Sequence, residues 1–596
     1  MATIAKPASL SMLGSFQSEL DSDAQYSDDD NDILYNTGTA VAHRREADEP
    51  DADLALINRK FSTQVSLSGA APIDQDALDI KSIAAALKSE VSEYNIRAAA
   101  VIRKHMCLKD VDKAAKDVMS INIALETMKS YLVDPSSSSD LLYQTEWAIT
   151  NMCAGSTDTT SVIVNAGFIE PLASLLTHED GAVRVQAAWA LGNICGDNEQ
   201  FRNLVLETKR ALYDILHIWH GDFKRQQDRP LAMEIAAWAA SNMFRYKGLD
   251  WDAVSQIPQV VYQILCETRN PQVLLECAWA LQRIFKVKPE DFKLVDAEFC
   301  KTLNNILAHL LDEYKHAVDS DLEHDDYGQL IAAFLKIFAN ITSKDDPLEL
   351  QMVLDSGLPY LLSGCLNIAN NRIIRGEALV VVENILAGTP AQVDEVIRRQ
   401  EGMIKSLLVI ISGLGVQKGY KCQRLDAFSA MHNIVVKKNF DHINILVQQS
   451  AVEMLCLFMQ ALISPTPPSH DPMVLIQVID TIYTIMLVGD AHSEQGGRSF
   501  LTEISGMRSH DAFFIFQAAH YALPALLARD RHKQSDDTSQ RDTKGVNAES
   551  LKRKAQRRLG ALMERVCRSE YDAWYTKELG QCVNEFGGMQ VDNDAV

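Results

Sequence analysis

The chain has 596 residues, with 57 Lys and Arg against 80 Asp and Glu, a net charge of −23. That length exceeds a single ordinary core, and that charge excludes a protein whose main task is to grip nucleic-acid phosphates. No run of eighteen uncharged apolar residues predicts a membrane span, and eleven cysteines without a CxxC pair point to a reduced, intracellular chain with free thiols.

Residues 1–75 hold −8 of the charge, in acid runs such as Ser27-Asp28-Asp29-Asp30-Asn31-Asp32 without a sustained apolar period. Such a stretch buries too little apolar surface to offset chain entropy, so a disordered acidic tail is expected. Residues 76–526 carry −16, and their apolar residues recur with helical period in segments broken by Gly, Pro, Asn or Asp. Within them a longer repeat is visible. Glu146-Trp147-Ala148-Ile149-Thr150-Asn151 returns as Ala188-Trp189-Ala190-Leu191-Gly192-Asn193, as Ala237-Trp238-Ala239-Ala240-Ser241-Asn242 and as Ala278-Trp279-Ala280-Leu281-Gln282-Arg283. The tryptophans are 42, 49 and 41 residues apart, a period that suits stacked units of two or three helices. Beyond Arg283 the unit degrades, but its Asn persists in Asn340, Asn384 and Asn433.

Residues i and i+4 share a helix face. A buried row of asparagines is expected to leave amides without partners, so the Trp and Asn ladder is predicted on one exposed surface. Asn carries donor and acceptor together and can hold the backbone of an extended peptide, while neighbouring indoles make slots for the stems and charges of Lys or Arg. Packed helices lie about 8 to 10 Å apart and extended chain advances about 3.3 Å per residue, so one repeat spans about three peptide residues. The acidic surroundings favour a basic ligand.

Residues 527–550 read as a polar linker, and 551–596 as a basic C-terminal helix and tail that opens with Leu551-Lys552-Arg553-Lys554-Ala555-Gln556-Arg557-Arg558-Leu559. This segment has two readings, an amphipathic helix that closes the last repeat and a self-inhibitory mimic of a basic ligand. His217 and His220 have a spacing that metal ligands use but no third ligand nearby, and are read as structural. The glycines of Gly413-Leu-Gly415-Val-Gln-Lys-Gly419 miss the dinucleotide spacing by one residue, and no GxxxxGK[ST], HExxH or GxSxG occurs. No catalytic residue, metal or cofactor is assigned, and the chain is read as non-enzymatic.

The strings Trp147-Ala-Ile-Thr-Asn151-Met-Cys-Ala-Gly155 and Trp189-Ala-Leu-Gly-Asn193-Ile-Cys-Gly-Asp197-Asn198 resemble importin alpha, the armadillo-repeat adaptor family that reads nuclear localisation signals. The resemblance spans about residues 85 to 510 and is most specific over the first three Trp and Asn pairs. It implies an all-α fold, a right-handed superhelical armadillo solenoid of about nine to ten repeats. It also implies a function: a nuclear import cargo adaptor, shuttling between cytoplasm and nucleus, that binds basic signals in its concave groove. The critical lysine pocket of the family, a Gly carbonyl, a Thr hydroxyl and an Asp carboxylate, matches Gly155, Thr160 and Asp197; three oxygens suit an ammonium, which has three donors and no acceptor. The major site then comprises Trp147, Asn151, Trp189, Asn193, Trp238, Asn242 and Trp279, with Gln186 and Glu276 as groove-lining polar positions and Arg245 as a basic one. The smaller second site keeps Lys336, Asn340, Glu377, Asn384, Asp426 and Asn433, but Val380 and Ser429 stand at its tryptophan positions, so a degenerate site is expected. Arg283 replaces an uncharged family residue and is expected to repel a basic side chain.

The family's N-terminal arginine-rich segment, which binds importin beta, has no counterpart beyond Arg44-Arg45 and Arg59-Lys60 amid acids. Importin beta is therefore expected to be engaged, if at all, through a non-standard segment. The expected partners are cargo proteins with basic signals, with no direct nucleic acid and no membrane insertion. The alternative from another class is an armadillo scaffold of the beta-catenin kind, without a transport role.

Overall fold

The computed structural model describes residues 80–106, 111–121, 123–208, 210–223, 228–246, 248–287, 294–320, 325–344, 346–368, 371–413, 421–463, 472–494, 515–523 and 541–566. The tail read from residues 1–75 lies outside them. Among the described residues there is no strand, and helices mostly follow one another in an order of two shorter ones and a longer third, a single 23-residue helix, Ala297–Asp319, preceding the ladder helix in one repeat. The third helices carry the ladder, and they are numbered here α1 Ser92–His105, α2 Ser139–Cys153, α3 Gly181–Asp197, α4 Asp228–Met243, α5 Pro271–Val287, α6 Asp325–Thr342, α7 Arg372–Ala387, α8 Lys421–Val435 and α9 Pro472–Glu494. A final helix, α10, spans Arg541–Val566.

Local chemistry sets the ends of these helices. Ser138 caps α2 through the Leu141 amide, Asp180 caps α3 through Ala182, and Asn371 caps α7 through Ile373 and Ile374. Thr389 and Gln392 form a reciprocal capping box with Pro390 at the first turn of Pro390–Arg399. The turn into the second helix of a repeat uses a left-handed residue at corresponding places: Gly167 and Gly357 in two repeats, Arg210 and Ser450 in two others. Glycine adopts that conformation freely, whereas a side chain there is strained.

The described residues fall into two compact units, one within 80–294 together with 325–333, the other within 295–320 together with 334–566. In the first, α1 to α5 stack in chain order. Alanine and glycine let these helices approach closely, and α3 has 14 of its 17 residues buried, so it is packed on every side rather than along one stripe. In the second, α7, α8 and α9 stack likewise and α10 lies against α9.

Two expectations change here. The helix α10 begins at Arg541, inside the stretch read as a linker. It buries Ala555, Leu559, Leu562 and Met563, and Arg558 pairs with Asp480 while Arg565 pairs with Asp490 at 2.8 Å. Of the two readings of the basic segment, the geometry supports the closing helix. Second, Met473–Ser493 within α9 is long and apolar enough to cross a membrane, a stretch hidden from a search for uncharged runs by Asp480 and Asp490. Half of it is buried, and both acids are paired with α10, which is the behaviour of a core helix.

Candidate peptide-binding groove

The asparagine row has a structural role that its sequence did not reveal. Five of its amides donate across to the neighbouring third helix: in the first unit Asn151 to the Arg103 carbonyl at 3.4 Å, Asn193 to Thr150 at 3.0 Å, and Asn242 to Gly192 at 3.1 Å. In the second unit Asn384 donates to Ala339 at 3.1 Å and Asn433 to Glu383 at 3.2 Å. For Asn193, Asn242, Asn384 and Asn433 the acceptor is the residue just before the neighbour's own asparagine position. Arg283 keeps the pattern, its guanidinium donating to the Ser241 carbonyl at 3.1 Å. A helix carbonyl has a second lone pair available for such a bond. A row of partly buried asparagines is therefore satisfied by its neighbours, and the expectation of a wholly exposed ladder is corrected for that reason.

The same stacking covers the tryptophans unequally. Trp147 and Trp189 are each 8% exposed, while Trp238 and Trp279 keep more surface open. Trp238 lies against Gly192 and the Asn242 amide against Gly196, where any Cβ would collide, so the two glycines are what let the ring and the amide approach α3.

Of the three residues whose oxygens are expected to meet an ammonium, Gly155 lies in the turn after α2, Thr160 on the following helix Thr157–Asn165, and Asp197 on α3, where the Thr160 hydroxyl is near enough to act on the carboxylate. Asp197 is half-buried at the end of α3. Its pKa is raised by burial, against which the hydroxyls of Thr157 and Thr160 and the charge of Arg245 act in the opposite direction. Thr157 donates to the carboxylate at 2.8 Å, and Thr160, wholly buried, donates to the Cys153 and Ser156 carbonyls at 3.4 Å. Gly155 is half-buried beside them. Burial of a carboxylate without a full counter-charge leaves it ready to gain from a cation. Arg245 donates to the Gly196 carbonyl at 3.1 Å, and Tyr246 binds the Asp197 carbonyl at 2.6 Å, so both tie down the end of α3 that carries the carboxylate.

Gln186 and Glu276 are placed deeper than groove-lining residues. Gln186 donates to the Thr150 hydroxyl at 2.6 Å and so serves the packing of α3 on α2. Glu276 is 1% exposed, and burial together with the neighbouring Glu234 pushes its pKa well up. Glu234 itself is raised to about 7 by burial. The correction has one cause: three residues before the tryptophan, the helix face turns toward the neighbouring helix.

In the second unit Lys336, Asn340, Glu377, Asn384, Asp426 and Asn433 are all half-buried on α6, α7 and α8. Where the rings are lost, Val380 is exposed and the Ser429 hydroxyl donates to Glu383 at 2.5 Å. Burial and the nearby Glu383 raise Asp426 to about 6.

Three neighbours of the groove escaped the sequence reading. Thr157 lay within a Ser and Thr cluster with nothing to single it out, Glu234 precedes Trp238 by four residues rather than three, and Arg103 belongs to a repeat without a tryptophan. Elsewhere, His217 stacks between Tyr213 at 4.1 Å and His220 at 5.4 Å, and no group of three potential metal ligands occurs among the described residues. Of the described cysteines, Cys153, Cys195, Cys277, Cys300, Cys365 and Cys456 are buried, and burial raises their thiols far from reactive values.

Comparison with known proteins agrees with this architecture. Residues 156–196 match the armadillo/beta-catenin-like repeat family. Importin subunit alpha-1b of Oryza sativa subsp. japonica is 26% identical over 299 residues, 50% of this chain and 51% of that protein. Importin subunit alpha-5 of Arabidopsis thaliana is 30% identical over 159 residues, covering 26% and 29%, and importin subunit alpha-2 of Caenorhabditis elegans is 26% identical over 217, covering 36% and 37%. The chain thus spans about half, or less, of the length of these curated relatives. Among solved structures, one concerning the interaction between cadherin and beta-catenin aligns with a TM-score of 0.53 at 12% identity, over 87% of this chain and 99% of that one. An engineered protein aligns at 0.52 and 18% identity, over 75% and 99%. Those likenesses establish an all-α armadillo solenoid.

Proposed function

We propose that this divergent importin alpha-like armadillo protein is a nuclear import cargo adaptor that holds basic localisation signals as extended peptides along α2 to α5. The observation that carries the proposal is Asp197, half-buried on the helix that also carries Trp189 and Asn193 and approached by the Thr157 and Thr160 hydroxyls. An ammonium entering there meets a carboxylate that burial has left short of counter-charge, and it gains a charge-assisted hydrogen bond. Trp238 and Trp279, which keep more surface open, then serve as apolar walls for the stems of neighbouring basic side chains. Asn193 and Asn242, whose amides already anchor neighbouring helices, present their carboxamide oxygens as acceptors for peptide N–H groups.

Shuttling between cytoplasm and nucleus follows from that role, as does an encounter with importin beta through a segment unlike the family's arginine-rich one. The second unit, with Ser429 and Val380 in place of rings, binds such peptides weakly. A permeabilised-cell import assay tests the transport role: with importin beta added, the protein should drive a reporter bearing a Lys-Lys-Lys-Arg-Lys signal into nuclei. Peptide binding without nuclear accumulation would favour the scaffold role instead.

A further inference from the structure

Arg103 occupies the place a ligand's cation would take. It lies on α1 with its guanidinium carbon 4.1 Å from the centre of the Trp147 ring. Tyr143 closes the ring from the side, its own centre 5.5 Å away and tilted by 66°, and the Asn151 amide holds the Arg103 carbonyl. Trp147 is 8% exposed and Arg103 9%, so the ring is covered by the protein itself. A flat guanidinium stacked on an indole is the geometry that an arginine from a bound peptide would adopt. At the opposite end, Arg283 stands in the asparagine row of α5, tied to the Ser241 carbonyl and close enough to Glu276 to act on its carboxyl. Asp197 and Glu234 lie on α3 and α4, between the helices of these two arginines in the stack.

We propose that Arg103 is a specificity-determining residue: it fills the Trp147 slot as a resident cation, so that a bound peptide presents an acidic or uncharged side chain over α2 and its basic residues over α3 and α4. The inference rests on the groove being a basic-peptide site. Two like charges a few Å apart repel, so a second cation is disfavoured there while a carboxylate is attracted. Two stacked repeats cover about six residues of extended chain. The preferred ligand is therefore a compact basic cluster with an acidic flank on one side, not a long basic run.

Isothermal titration of the full chain tests this with peptides of equal length, a Lys-Lys-Lys-Arg-Lys core extended by Glu-Glu or by Lys-Lys, first at one end and then at the other. At one end, the wild type should bind the Glu-Glu form about tenfold more tightly than the Lys-Lys form. Arg103→Gln should abolish or reverse that ratio, and Arg103→Lys, which keeps the charge, should preserve its sign. Arg103→Met, retaining the packing of the stem, replaces the Gln variant if that one melts early. If Arg103→Gln keeps the wild-type ratio while Asp197→Lys loses the core peptide, the role of Arg103 is refuted and the groove stands. Failure of the wild type to bind any of the peptides overturns both.

Discussion

Glu146 shows how a residue beside the ladder serves the fold at a cost in charge. It is wholly buried, neither carboxylate oxygen has a hydrogen-bond partner, and burial raises its pKa well above the ordinary carboxylate value. The folded state thus holds a proton that the unfolded chain releases near its ordinary value. The resulting stability is fully present below that unfolded value and is lost as pH rises toward the folded one. Glu146→Gln removes the dependence, so between pH 5 and 8 the urea midpoint of the variant should fall less than that of the wild type; parallel declines would contradict the assignment. Neighbouring Trp147 and Asn151 were legible because a motif repeats them, whereas the burial of Glu146 was not, since the residue before a ladder tryptophan is Ala in the other three repeats. Partners for the asparagines were equally hidden, because a bond to another helix's carbonyl leaves no mark in the sequence of either helix.

At the scale of elements, the left-handed turns give the clearest case of a partly visible rule. Gly167 and Gly357 announce the turn into a second helix, but Arg210 at φ 67° and Ser450 at φ 64° adopt the same conformation without the residue that signals it. Tertiary packing on both sides holds them there, a local strain that glycine relieves. Arg210→Gly should therefore stabilise the first unit, or at worst leave it unchanged, by about 1 kcal/mol less the added chain entropy of glycine. A loss of 1 kcal/mol or more in chemical denaturation would show that Arg210 is held by its contacts and not strained. The pair of α9 and α10 yields a second prediction. Since Arg558 pairs with Asp480 and lies 5.2 Å from the Tyr483 ring, with Leu559 and Leu562 buried beneath, removal of residues 541–566 exposes apolar surface on α9. The truncated protein should melt earlier and aggregate more readily, yet bind a basic peptide with unchanged affinity; a gain in affinity would revive a self-inhibitory role for Lys552 to Arg558. Helical period and the 41 to 49 residue spacing made the repeats readable, while the start of α10 was not, because a Ser- and Asp-rich stretch reads as linker until its packing is seen.

Over the whole molecule, the net charge of −23 acquires a distribution with meaning. The repeats hold −16 of it, and within the first unit Asp197 on α3 and Glu234 on α4 lie on helices stacked between those of Arg103 and Arg283. A partly solvated site of this kind draws in basic ligands over roughly the Debye length, about 8 Å at physiological salt. Peptide affinity should accordingly fall by about tenfold or more between 50 and 500 mM salt, as measured by titration, and an affinity indifferent to salt would mean that apolar contacts with the rings dominate. The solenoid class could be read from the sequence because every repeat restates it. What could not be read was which groove positions the protein fills with its own side chains, since that depends on pairs of helices brought together only by folding. The central claim is that Asp197 receives the cation of an extended basic peptide. Fluorescence anisotropy with a labelled Lys-Lys-Lys-Arg-Lys peptide tests it most directly: the wild type should bind and Asp197→Lys should bind about a hundredfold more weakly, having replaced an attraction by a repulsion, whereas equal affinities for the two would contradict the site.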